Sequence, residues 1–167
     1  MVVVPVLDLR VPAAVAILPQ EVETALPLIS EDVAAQLKEE FARLKNPVRL
    51  AVFSQTLADP QSEQVKRLVE ELAALDPKLS AESYNFVLDK EKADALGIQR
   101  IPAIAVMGED KDYGIRLYGL PSGYEFGSLI DAIVDVSAGE SVLAPETRQA
   151  LKALDKNVHV QVFSTPT

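Results

Sequence analysis

The chain has no cysteine among its 167 residues. That absence removes disulfides, thiolate nucleophiles and zinc–thiolate sites together. Histidine is nearly as scarce. His159 is the only one, which excludes a multi-histidine metal site and argues against a histidine-dependent hydrolase. Basic residues are also in short supply, with 16 Lys and Arg against 25 Asp and Glu, for a net charge of −9. Nucleic-acid binders concentrate Lys and Arg to displace counterions, and anionic lipid repels an acidic surface. Neither nucleic acid nor membrane is therefore an expected partner, and the acidity reads as a solubilising surface. No phosphate-binding glycine loop or dinucleotide fingerprint occurs, so no cofactor is expected. Glu109, Asp110 and Asp112 lack the glycine and terminal glutamate spacing of a calcium loop, and no metal site is expected either.

A long uninterrupted apolar run is missing too. Residues 1–18 come nearest, but Asp8 and Arg10 interrupt them, Pro5 and Pro12 break them, and no basic region precedes them. They fit neither a secretory signal nor a membrane span. Pro5, Pro12, Pro19 and Pro27 make residues 1–28 an extended or disordered leader. The lack of disulfides is compatible with the cytoplasm, which is the expected location.

What the chain does contain is a regular alternation of helix and strand signals. Ser30 precedes Glu31 and Asp32 as an N-cap with acids in the first turn, and Val33, Leu37, Phe41 and Leu44 recur at helical spacing. A helix is predicted over residues 31–45, stopped by Asn46-Pro47. Residues 48–53 read as a buried strand and 54–58 as the loop leaving it. Asp59-Pro60 is a strong helix start, followed by a stripe of Val65, Leu68, Val69, Leu72 and Leu75 that Asp76-Pro77 ends. Each such side chain contributes about 1.5–3 kcal/mol when buried, ample to fix the helix on a sheet.

A second strand is predicted over 83–88 and a short helix over 90–96, with Gly97 as a left-handed cap. Strands 103–107 and 113–118 flank the polar hairpin loop 108–112. Ser122 and Glu125 read as a capping box, and Phe126, Leu129, Ile130, Ile133 and Val134 give the next helix its buried face. The order β-α-β-α-β-β-α after a leading helix implies an α/β fold with a mixed central sheet and helices on both faces.

One strand pattern occurs twice. Val48-Arg49-Leu50-Ala51-Val52-Phe53-Ser54 returns as Val158-His159-Val160-Gln161-Val162-Phe163-Ser164, 110 residues later. The same offset places Phe41 on Leu151 and Leu44 on Leu154, with Pro145 starting the second helix. A period of this length suits a duplicated domain rather than a solenoid. The reading is one unit over 29–143 followed by the opening helix and first strand of a truncated second unit over 144–167. Leu151, Leu154, Val158, Val160 and Val162 then need burial, either on the edge of the first sheet or in a homodimer through residues 145–163. His159 alternates with the valines and should face solvent or an interface.

These units resemble the tandem thioredoxin-fold protein disulfide oxidoreductases, also called glutaredoxin-like proteins. The stretches that carry the resemblance are Glu39-Glu40-Phe41 through Asn46-Pro47-Val48, Val65 through Leu72, Arg100-Ile101-Pro102-Ala103, and above all Tyr113 through Phe126. A more distant similarity is to the N-terminal tandem thioredoxin-fold domain of the flavoprotein that reduces bacterial peroxiredoxin. The resemblance implies a thioredoxin-like (glutaredoxin-like) fold in which Asp59, Pro60, Gln61 and Ser62 occupy the positions of a Cys-x-x-Cys pair. A helix N-terminus stabilises an anion and lowers a thiol pKa. Asp59 keeps the anion and the cap but forms no disulfide. Ser62 has no recognisable base, so no catalytic residue is expected.

Pro102 resembles the family's cis-proline, which implies that Ile101 and Pro102 hold an extended peptide. The family's catalytic pair would belong to the second unit, after Phe163-Ser164-Thr165-Pro166-Thr167. The implied function is that of a redox-inactive unit supporting a thiol–disulfide oxidoreductase. Its partners would be protein or peptide substrates and a reductase for the full-length parent. The alternative is a stand-alone peptide- or protein-binding scaffold of the same fold.

Overall fold

A computed structural model of the chain describes residues 26–55 and 59–163. The leader up to residue 25, loop residues 56–58 and the closing Ser-Thr-Pro-Thr segment lie outside the described residues. The elements run α1 (Glu31–Phe41), β1 (Val48–Ser54), α2 (Pro60–Ala73), β2 (Leu79–Asn85), α3 (Lys90–Ala95), β3 (Ala103–Gly108), β4 (Asp112–Tyr118), α4 (Tyr124–Ala138) and α5 (Pro145–Lys152). Their order in the sheet is β2-β1-β3-β4. β1 and β2 are parallel, while β3 runs antiparallel to both β1 and β4. The sheet is therefore mixed, as the element order implied.

Alternation along the central strands divides the core in two. On one face Val48, Leu50, Val52, Ile104 and Val106 meet Leu37 and Phe41 of α1, Val65, Leu68, Val69 and Leu72 of α2, and Leu129, Ile133 and Val136 of α4. On the other, Ala51, Phe53, Ala103, Ala105 and Met107 meet Ala93 of α3 and Ile98. Small residues on this second face let the short α3 lie close, and Phe53 stacks on Tyr84 with ring centroids 5.2 Å apart.

Ser137, fully buried in α4, ties the entrance of β1 to that helix. Its hydroxyl accepts the backbone N–H of Lys45 (2.9 Å) and Asn46 (3.0 Å) and donates to the Asn46 carbonyl (2.7 Å), while the Asn46 amide donates to the Ser137 carbonyl (2.8 Å). Glu71 of α2 does a similar service for the chain entering α1. Its carboxylate accepts N–H groups from Leu28 and Ile29, and Arg67 donates to the Leu26 carbonyl.

Four expectations are corrected. Helix α1 ends at Phe41, not at 45, because Ala42 caps it and Leu44 is buried from a turn. β2 lies at Leu79–Asn85 instead of 83–88. The Asn85 carboxamide oxygen accepts N–H from Val87 (2.9 Å) and Leu88 (3.0 Å), turning the chain away after Phe86, whose N–H still donates to the Ser54 carbonyl (2.8 Å). No side-chain capping box starts α4. Gly123, with φ 54°, occupies the cap, and the Glu125 N–H donates to the Ser122 carbonyl. Finally, residues 158–163 form no strand and do not join this sheet. They are exposed, as are Leu151 of α5 and Leu154 just after it.

Candidate functional site

Parallel β1 and β2 end side by side, and α2 begins just beyond them. Asp59 stands in extended conformation at the N-cap of α2 with Pro60 in the first turn. One carboxylate oxygen accepts the Gln61 N–H (3.1 Å), and the other accepts the Ser62 hydroxyl (2.6 Å). The first bond satisfies a helix-end donor, and the carboxylate charge faces the positive end of the helix dipole. Ser62 is buried. The four residues singled out at this corner thus form a closed capping arrangement in which the only nucleophile-type side chain is a buried donor.

Beside the cap a pocket of about 480 Å³ is lined by Ser54, Gln55, Asp59, Ser62, Glu63 and Lys66 on one side and by Ser83, Tyr84 and Asn85 on the other. Its wall includes the C-terminal ends of two parallel strands, the usual ligand position in an open α/β sheet. Sequence reasoning missed its β2 wall, because it set that strand four residues too late. Tyr84 is held by a hydrogen bond to Glu82 (2.7 Å) and by Lys92 lying 4.0 Å over its ring. The Glu82 bond and burial together raise the Tyr84 pKa, so the phenol stays protonated as a donor.

Ile101 and Pro102 sit at the same end of the sheet. The Ile101–Pro102 peptide bond is cis. Phe53 pairs with Ala103, so the register sets Pro102 beside Ser54, on the opposite flank of β1 from β2. The Pro102 carbonyl accepts the Gly119 N–H (2.9 Å), pinning the turn that leaves β4. The structure therefore gathers Asp59, Pro60, Gln61, Ser62, Ile101 and Pro102 at one end of the sheet around the exit of β1. His159 is exposed and far along the chain in the C-terminal segment. Among the described residues, no group of three or more His, Cys, Asp or Glu is placed to hold a metal ion, and no helix is long and apolar enough to cross a membrane.

No family model matches the sequence. Among curated proteins, the AhpF component of alkyl hydroperoxide reductase from Staphylococcus aureus strain Mu50 is 28% identical over 145 residues, 84% of this chain. An NADH dehydrogenase of Bacillus subtilis strain 168 is 26% identical over 140 residues. The chain spans about a quarter (25%) of the length of each. Among solved structures, the N-terminal domain of the alkyl hydroperoxide reductase AhpF from Enterococcus faecalis V583 superposes with TM-score 0.69 at 29% identity, covering 76% of this chain and 61% of that one. A protein disulfide oxidoreductase from Aeropyrum pernix K1 superposes with TM-score 0.67 at 29% identity, covering 75% of this chain and 55% of that one.

Proposed function

We propose, for a chain that is a homologue of the N-terminal domain of the alkyl hydroperoxide reductase AhpF and of a protein disulfide oxidoreductase, and thioredoxin-like in fold, the role of a redox-inactive unit. It supports a Cys-x-x-Cys unit of a thiol–disulfide oxidoreductase, both as a structural platform and as a holder of protein substrate. The observation that carries this reading is the Asp59–Ser62 cap. A carboxylate and a buried hydroxyl touch at 2.6 Å across the first turn of α2, where a thiol pair would draw its low pKa from the helix end.

In this reading 29–143 is the inactive unit, 1–28 its leader, and 144–167 the start of a second unit. Ile101 and Pro102 present backbone to an extended segment of the substrate, and the pocket between α2 and β2 takes its side chains. The setting is the cytoplasm, with a reductase as electron donor to the parent protein. A peptide-holding scaffold without redox partner is the second reading, favoured by the same pocket and tested by the same assay.

Insulin-disulfide reduction tests the proposal in two arms. Alone, the chain shows no reduction above background, whereas the Asp59→Cys/Ser62→Cys double variant gains dithiothreitol-driven turnover, because cap and geometry are retained. Added to a Cys-x-x-Cys-bearing thioredoxin-like protein, the unsubstituted chain raises kcat/KM for insulin but not for a small disulfide. A double variant that folds yet forms no disulfide overturns the degenerate-site reading. Equal effects on both substrates overturn the substrate-holding role, and binding of unfolded insulin chains without any rate effect leaves the scaffold.

A further inference from the structure

The pocket beside the α2 cap opens where two parallel strands end, and its chemistry is one-sided. Asp59 and Glu63 stand four residues apart at the start of α2, which puts both carboxylates on one side of the helix, and both line the pocket. Glu63 makes no ion pair among the described residues. Lys66 is the one cation in the described lining, and it lies 3.9 Å from Glu70, which is outside that lining.

A helix start ordinarily favours an anion. Here its donors are already occupied. The Gln61 N–H and the Ser62 hydroxyl go to the Asp59 carboxylate, the Glu63 N–H goes to the Asp59 carbonyl (3.4 Å), and Pro60 has no N–H. Across the pocket, Tyr84 gives its hydroxyl proton to Glu82. An anion would enter beside two carboxylates with few protons to meet it. A cation finds both carboxylates, with Pro60 and the Tyr84 ring as wall for an aliphatic stem. A guanidinium meets a carboxylate with paired N–H groups, and an ammonium meets it as a point charge. With no third ligand group gathered there among the described residues, a metal ion is the poorer fit.

We propose that the side chain held in this pocket is basic, an arginine or lysine of an extended protein segment whose cation lies against Asp59 and Glu63. This names the class of segment and rests on the substrate-holding reading given above. The net charge of −9 attracts any basic peptide at long range. The two pocket carboxylates, and not that overall charge, must therefore decide the preference.

Fluorescence anisotropy on the full chain tests this with short labelled peptides of one sequence, changed only at a central arginine, lysine, norleucine or glutamate. The arginine and lysine peptides should bind about fivefold or more tighter than the norleucine peptide, and the glutamate peptide weakest, with backbone amide shifts at Glu63 and Ser83. Glu63→Gln, and Asp59→Asn, which keeps a good helix cap, should each cut the preference at least about twofold. Asp131→Asn, on an exposed acid of α4 outside the pocket lining, should leave it unchanged. Norleucine bound as tightly as arginine, with the same shifts, overturns the basic preference and leaves the substrate-holding role standing. A preference untouched by both pocket variants, or lost equally in Asp131→Asn, belongs to overall charge and overturns the inference too. If no peptide of the set binds, the substrate-holding role fails and takes the inference with it.

Discussion

Val48–Ser54 and residues 158–163 are nearly the same strand pattern in two fates. In β1, Val48, Leu50, Val52 and Phe53 are at most 1% exposed. In the repeat, Val158, Val160, Val162 and Phe163 are 64–89% exposed. Local propensity is matched, and so is the helix before each. What differs is the company. β1 has β2 and β3 on its flanks and α1, α2 and α4 over one face, and the repeat has none of these among the described residues. A β-strand's stability belongs to its pairs and its covering layer, not to its own residues.

The sharpest break of that comparison puts one charge at equivalent places. Val52→Lys should cost at least about 3 kcal/mol, because the ammonium has no partner in the core under α2 and α4. Val162→Lys, measured by urea unfolding, should change stability by no more than about 0.5 kcal/mol. Equal costs would mean that the C-terminal segment is packed in solution.

A smaller effect probes what anchors β1 at its start. Ser137 gives the Asn46 turn three hydroxyl hydrogen bonds from a fully buried position. Ser137→Ala strands two backbone N–H groups and a carbonyl, and should lower unfolding free energy by about 1–3 kcal/mol. Ser137→Thr, which keeps the hydroxyl, should recover part of that loss. An unchanged urea midpoint in the alanine variant would show that water replaces these bonds at no cost. The repeat has no counterpart to this tie among the described residues.

Much of this was legible from residue patterns, for reasons the same comparison explains. Strands rich in β-branched residues and helices with clean caps, such as Asp59-Pro60, announce themselves because their signals are local. The corner that brings Asp59, Ser62 and Pro102 together was legible only through resemblance, since β1–β3 pairing sets it and no local signal encodes that pairing. β2 was misplaced because Ser80 and Glu82 look like loop residues. They form a strand because β1 lies alongside. The apolar run 86–88 looked like strand, but Asn85 turns Val87 and Leu88 out into solvent. The repeat misled in the same sense, with a strand pattern present and no sheet supplied.

The last and smallest effect concerns β4, an edge strand that the repeat leaves unpaired among the described residues. Asp112 is held below the usual carboxylate range, chiefly by its hydrogen bonds from Arg116, partly opposed by burial and helped by the Gly114 N–H. A depressed folded-state pKa gives stability that is fully present above the unfolded value, near 3.9, and is lost as pH falls through the folded value. Arg116→Met keeps an aliphatic stem and removes the guanidinium. Its stability deficit should therefore be largest near neutrality and shrink on acidification below about pH 4, as the unsubstituted protein loses the same interaction. The pair is partly solvated, so the deficit should stay near the lower end of measured ion-pair values, about 1 kcal/mol or less. A deficit that urea unfolding finds unchanged between about pH 7 and about pH 3 would mean that the guanidinium acts through packing and not through charge.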